Sequence, residues 1–224
     1  MTKKITLALV LCLVWLNLAL AATEQELHDL HQCGLVQIEQ CDTNEDPRFK
    51  YGVELIRQAA EQNYAPAQYD MGVLHLTDEY GMLNAVEAEK WLRLAAKQDY
   101  RDACHNLGIM YSDGDGVPKN MREALHWFAR SAELGDVDDM MLLATMYADG
   151  KEMPKILEEA YKWLTLCEMM DVPIHEYPEL IEVEEKCRRL SQHARVRAQC
   201  KALVIFAKLL LRKNTSEAKM QTIL

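Results

Sequence analysis

Few side chains in this sequence have the types and spacing that chemistry requires. His28, His31 and Cys33 lie close together, and imidazole and thiolate are ligands that Zn²⁺ prefers. A zinc site needs further ligands, and the sequence has no second half such as paired CxxC motifs. We therefore predict no metal site and interpret the two histidines as a solvated pair beside a structural disulfide.

The other candidates for catalysis are also weak. Cys104 precedes His105, but adjacent residues of a helix point in different directions, so they do not form a nucleophile and base. The DGDG sequence at 113–116 lacks the further ligands and the final glutamate of a calcium loop. The sequence contains no phosphate-binding loop, dinucleotide fingerprint or HExxH motif. We predict no catalytic residue and no cofactor.

The elements that carry these residues repeat along the chain. Trp91, Trp127 and Trp163 stand 36 residues apart, and alanines at 88, 124 and 160 share their register. A repeat of this length is typical of a solenoid of helix pairs, in which each unit contacts mainly its neighbours. The sequence thus predicts an all-α fold and assigns its most regular residues to packing.

Each unit has signals for two helices. The first helix is predicted to end where Gly114 and Gly150 permit a positive φ. Asn84 and Asn120, each with a glutamate three residues later, are predicted to cap the second helix. The third unit has Ile156 at this position and is predicted to lack the cap.

The segment 100–135, YRDACHNLGIMYSDGDGVPKNMREALHWFARSAELG, resembles the unit of the Sel-one-like repeat family, a branch of the tetratricopeptide-like solenoids. The resemblance extends over roughly residues 47–212 and implies an α/α superhelical solenoid with a closing helix pair. Most members of this family assemble other proteins, so the resemblance implies a protein partner and a non-catalytic scaffold or regulator.

The repeat register and the flanking segments divide the chain into parts. We predict a signal peptide at 1–21, an N-terminal cap helix segment at 22–46, a repeat array at 47–171, C-terminal capping helices at 172–213 and a polar tail at 214–224. The array comprises a degenerate half unit at 47–63 and full units at 64–99, 100–135 and 136–171.

The start of the chain resembles a secretory signal. Lys3 and Lys4 precede an apolar run from Ile5 to Ala21, and small residues at its end favour cleavage after Ala21 or Ala22. An uncleaved anchor is the alternative, because the 17 apolar residues approach the length that spans a membrane. We expect the protein in the periplasm or the secreted space, in a bacterial envelope complex or released from the cell.

Export would allow disulfide bonds among six cysteines. The candidates are Cys33, Cys41, Cys104, Cys167, Cys187 and Cys200, and the sequence does not choose their pairing. Cys33 and Cys41 could bond if the chain turned at Gly34, but on one straight helix they would be too far apart. A cysteine-rich branch of the family pairs cysteines eight residues apart; here Cys104 has the second of those places and Ala96 the first.

Charge is unevenly distributed. Residues 22–185 carry 13 basic and 34 acidic side chains, a net of −21, which argues against nucleic acid as a partner. Residues 186–213 carry nine basic and no acidic side chains. We predict that a terminal helix packs on the last repeat through the stripe Val196, Cys200, Leu203, Ala207 and Leu210. Contact of this basic helix with a membrane surface or an acidic partner is the alternative.

A partner would contact the variable positions of the first helices. By register these are Tyr69, Asp70, Val73, His105, Asn106, Ile109, Met141, Leu142 and Thr145. Met140, Met141 and Leu142 form an apolar patch if no terminal helix covers them.

Two other functions remain open at this stage. Cysteine-rich relatives are linked to penicillin binding and β-lactam hydrolysis, and Ser216 and Lys219 match an SxxK pattern, although without SDN or KTG companions. A host-directed secreted virulence factor is the other alternative. Asn214 also begins a glycosylation acceptor, which would matter only in a eukaryotic secretory pathway.

Overall fold

The computed structural model describes residues 23–41, 43–78, 81–151 and 154–223, and the regular structure within these ranges is helical. The predicted signal peptide lies outside the described residues. The chain forms two compact units, which divide after Tyr100. In the first unit, the helices are α1 (23–39), α2 (Pro47–Glu61), α3 (Ala65–Leu76) and α4 (Ala85–Ala96). In the second unit, they are α5 (Arg101–Asp113), α6 (Met121–Glu133), α7 (Val137–Asp149), α8 (Leu157–Met169), a 3₁₀ turn (Ile174–Glu176), α9 (Pro178–Cys187) and α10 (Gln192–Ile223).

Helices α3 and α4, α5 and α6, and α7 and α8 pack as pairs, which confirms the predicted all-α repeat solenoid. The small-residue positions bring the two helices of a pair together. A Cβ atom on Gly72 would lie 2.7 Å from Leu92, and one on Gly108 would lie 2.5 Å from the Phe128 ring. Each glycine therefore makes room for a large side chain of the paired helix.

The helix ends follow the predicted signals. The backbone N–H of Glu87 donates to Asn84 Oδ1 (3.2 Å), and that of Glu123 donates to Asn120 Oδ1 (3.3 Å). Ile156 gives α8 no side-chain cap, as predicted. Gly150 ends α7 in the left-handed conformation with φ of 69°. These local signals act within each repeat and set the length of its helices.

Helix α1 packs closely on α2. A Cβ atom on Gly34 would lie 2.8 Å from the Gly52 carbonyl oxygen, so both glycines permit contact between the two backbones. Gly34 lies inside α1, and the chain does not turn there. The condition for a bond between Cys33 and Cys41 is therefore not met.

The structure has no disulfide bond among the six candidate cysteines, Cys33, Cys41, Cys104, Cys167, Cys187 and Cys200. Burial raises the pKa of the Cys167 thiol to about 12 and that of Cys187 to about 11, so both thiols are protonated at neutral pH. Disulfide formation stays a prediction without structural support.

The C-terminal helix departs from the sequence prediction in two ways. Helix α10 packs on α8 through Ala194, Ala198, Ala202 and Ile205, all of them buried. The stripe predicted to make this contact, from Val196 to Leu210, is wrong, because its members are exposed on the other side of the helix. The segment 214–224, predicted as a polar tail, continues α10 as far as Ile223.

A serine caps the start of α10. The Ser191 hydroxyl accepts from the backbone N–H of Ala194 (3.3 Å). Among the described residues, no helix has the length and apolar character required to cross a membrane.

Candidate interaction surface

The predicted surface residues of the first unit lie on α3, and α1 contacts one of them. Asp70 Oδ2 lies 2.5 Å from Nε2 of His31, a buried residue of α1. The Tyr69 ring packs on Tyr100 with 5.1 Å between centroids, and Val73 is half-buried. Asp70, which we predicted as a contact for a partner, is thus already paired within the fold.

The two histidines of α1 also have partners of their own. His28 Nδ1 and the Tyr64 hydroxyl are hydrogen bonded at 3.0 Å, while His31 pairs with Asp70. Cys33 is exposed on the same helix. These contacts show that both histidines help to hold α1 against the repeat, a role the sequence interpretation missed.

His105, on α5, forms a second histidine–carboxylate pair. Its Nδ1 lies 3.0 Å from Oδ1 of Asp139 on α7, and the Asp139 side chain is only 1% exposed. The hydrogen bond to Asp139 raises the pKa of His105, while partial burial opposes this effect. The second oxygen of Asp139 is buried without a hydrogen-bond partner in the described part of the chain. The histidine–carboxylate pair therefore joins the first helices of consecutive repeats.

The repeat register of the sequence could have predicted the pairing of His105 with Asp139. Asp139 stands where the preceding units have Ala67 and Ala103, and all three positions are fully buried. A carboxylate at a packing position requires a partner, since burial of an unpaired charge is costly. The facing position on the preceding first helix is His105.

Asp136 completes a group that could hold a metal ion. Ligand atoms of His105, Asp136 and Asp139 lie within 4.8 Å of one another. Each residue also has a structural role: Asp136 Oδ1 accepts from the backbone N–H of Asp139 and caps α7, and its Oδ2 lies 3.5 Å from Arg101 Nε. These contacts account for the arrangement without an ion.

Two of the remaining predicted residues line a pocket of about 320 Å³ in the second unit. Its lining comprises Ser112, Asp113, Lys119, Met121, Phe128, Leu142, Thr145, Met146, Asp149 and Lys151. Leu142 and Thr145 were predicted; Asn106, Ile109 and Met141 lie outside the lining. Met140 is fully buried in the core, so only part of the predicted methionine patch faces solvent.

The pocket combines an apolar interior with a charged rim. Met121, Phe128, Leu142 and Met146 supply the apolar surface, and their thioether and ring groups can adapt to varied side chains. At the rim, Asp149 Oδ1 lies 2.6 Å from Lys186 Nζ, and this hydrogen bond lowers the pKa of Asp149. The lining includes no histidine or cysteine. Its chemistry suits the binding of an apolar side chain flanked by polar groups.

The helix pairs form an all-α repeat solenoid, and its second unit carries the pocket around Leu142. A family model for the Sel1 repeat matches residues 65–100, 101–136 and 137–166, in the same register as the helix pairs. These residues of the chain therefore form three Sel1 repeats. Repeats of this family generally mediate protein–protein interactions, and their proteins are typically non-catalytic scaffolds.

Solved structures show the same fold. A protective antigen of uropathogenic Escherichia coli strains that displays an SLR fold is 19% identical with a TM-score of 0.60, over 91% of this chain and 42% of that one. A Sel1 repeat protein from Oxalobacter formigenes is 23% identical with a TM-score of 0.55, over 75% of each chain. The chain thus spans less than half of the E. coli antigen. A search of curated proteins found no significant match.

Proposed function

We propose that the protein is a non-catalytic scaffold or regulator that binds another protein in the bacterial cell envelope or the secreted space. The observation that carries this proposal is the pocket around Leu142, which offers an apolar interior and charges of both signs at its rim. Peptide recognition uses this combination, because the apolar side chain supplies affinity and the polar rim sets orientation.

The proposed location rests on the sequence of residues 1–21, whose basic start, apolar run and small final residues match a secretory signal. Detection of the mature chain in the periplasmic fraction or the culture supernatant, without cell lysis, tests this part separately from binding.

The binding test uses two matched variants of the second unit. Leu142 lines the pocket and is 37% exposed; Ile181 on α9 lies outside its lining and is 39% exposed. We expect Leu142→Glu to remove a protein partner captured by in-cell crosslinking and affinity purification, because a carboxylate would enter the apolar interior. Ile181→Glu should retain the partner, and both variants should melt as the wild type does.

Two results would contradict the proposal. One is a partner that Leu142→Glu retains with unchanged yield. The other is turnover of a substrate, for example a chromogenic β-lactam, by the purified mature protein in a reaction that a point mutation abolishes.

A further inference from the structure

Helix α10 has two apolar faces, and the inner one packs on α8 while the outer one is exposed. Ala194, Ala198, Ala202 and Ile205 form the inner face, which is buried on α8. The outer face lies about half a turn away around the helix. The inner face completes the fold of the second unit, so the apolar residues of the outer face need another explanation.

The outer face carries a regular row of exposed apolar side chains. Val196, Leu203 and Leu210 are 49%, 52% and 47% exposed, and the smaller Cys200 and Ala207 lie between them. The spacing alternates between four and three residues, which is the heptad pattern of a helix that pairs with another helix. A row of this size facing water is typical of an interaction site.

The positions that flank this row are mostly uncharged. On one side they are Arg197, Val204 and Leu211, and on the other Gln199, Phe206 and Lys213. Arg197 Nη2 already lies 2.8 Å from Glu158 Oε2 of α8. Flanking charges select an oppositely charged helix in coiled coils. The flanking positions of α10 instead favour a partner helix that has apolar residues at its own flanking positions.

Residues 210–215 of α10 are all exposed, and the helix continues to Ile223. A short helical segment without packing is marginally stable in water, so contact with a second helix would stabilise it.

We propose that the outer row of α10 pairs with α10 of a second copy of this chain, in parallel and in register. Val196, Leu203 and Leu210 would take the d positions, and Cys200, Ala207 and Asn214 the a positions. A single asparagine at an a position specifies register by pairing with its counterpart. In this arrangement Gln199 faces Val204 of the second copy and Phe206 faces Leu211 of the second copy, so the central flanking pairs contain no like charges.

The first test measures the mass of the mature chain by sedimentation equilibrium under reducing conditions. We expect a concentration-dependent dimer, whose dissociation constant rises at least about tenfold in Leu203→Glu because each copy would bury a carboxylate opposite its counterpart. Leu83→Glu in the first unit, at a leucine that is 59% exposed, is the matched control and should dimerise normally. Leu203 is exposed in the monomer, so both variants should keep the wild-type melting temperature at protein concentrations where the wild type is monomeric.

Cys200 provides a test of the parallel register. The two Cys200 thiols would face each other, and oxidised glutathione would convert them into a disulfide while it accepts their two electrons and two protons as two reduced glutathiones. We expect a covalent dimer that Cys200→Ser abolishes and Cys33→Ser retains.

A monomer at all concentrations, or a dimer that Leu203→Glu leaves intact, overturns the pairing. A dimer that requires Leu203 but forms no disulfide through Cys200 overturns the parallel arrangement. Binding of a monomer to phosphatidylglycerol vesicles that is lost in Leu203→Glu assigns the row to a lipid surface and overturns the proposal.

Discussion

At the residue scale, the Asp139 carboxylate is almost fully buried at a position where other repeats have alanine, and such burial is costly unless the carboxylate is paired. His105 of the preceding repeat forms a hydrogen bond with it. The pair therefore belongs to the structure of the second unit. A variant at either residue would alter folding as well as any surface for a partner.

The first prediction concerns the pH dependence of this pair. The pKa of His105 is raised above its ordinary value of about 6.5 in the folded state. The folded protein therefore binds this proton more tightly than the unfolded chain. The resulting stability is fully present below the unfolded pKa and is lost as the pH rises through the folded pKa.

Urea unfolding of the wild type and His105→Gln between pH 5 and 9 should show this change. We expect the difference in free energy of unfolding to decrease by about 1 kcal/mol from the acidic to the basic end, after allowance for the solvent exposure of the imidazole. His126→Gln alters an exposed histidine of α6 and should show no such trend. A difference that is constant or grows with pH would refute this role for His105.

At the scale of one element, the three repeats provide a natural comparison of helix caps. The backbone conformations at the cap positions are similar, with φ and ψ of −145° and 93° at Asn120 and −130° and 84° at Ile156. Only the side chain differs. Helix α8 therefore has the backbone of a capped helix and lacks the hydrogen-bond acceptor.

We expect Ile156→Asn to raise the free energy of unfolding by about 0.5–1 kcal/mol, because asparagine can accept a backbone N–H of the first turn. Ile156 is 42% exposed, so its replacement loses little apolar burial. Asn120→Ala should produce the opposite change, a loss of about 1 kcal/mol. Equal stability of Ile156→Asn and the wild type in urea unfolding would show that the cap does not limit α8.

The caps were predictable because they depend on residues close in sequence, and the repeat register was predictable because the same residue types recur every 36 residues. The partners of Asp70 and Asp139 were not predicted, since these contacts join positions 39 and 34 residues apart. Of the residues around the pocket, Leu142 and Thr145 followed from register. Phe128 was missed because its place within the pair becomes clear only when the ring packs over Gly108.

At the scale of the whole molecule, the main question is how the repeats end. Terminal units must shield the apolar surface of the last repeat. Both faces of α10 have apolar residues at helical spacing, and the sequence pattern favoured the face with the larger ones. The structure places small residues against α8 instead, since alanines allow the two helices to approach closely.

Substitutions at two alanines of α10 show which of these faces packs on the last repeat. Ala198 is fully buried on the inner face, while Ala207 is exposed on the outer face. We expect Ala198→Glu to reduce the free energy of unfolding of the second unit by about 3 kcal/mol or more, because a carboxylate would be buried against α8 without a partner. Ala207→Glu should leave the monomer's stability unchanged.

Thermal melts at a protein concentration low enough to hold the chain monomeric provide the measurement. If Ala207→Glu destabilises the monomer and Ala198→Glu does not, then the stripe from Val196 to Leu210 packs on the last repeat and is unavailable to a second copy. If Ala198→Glu alone destabilises the monomer, the alanine face of α10 packs on the last repeat. The larger apolar residues of α10 are then free for assembly because the fold does not need them.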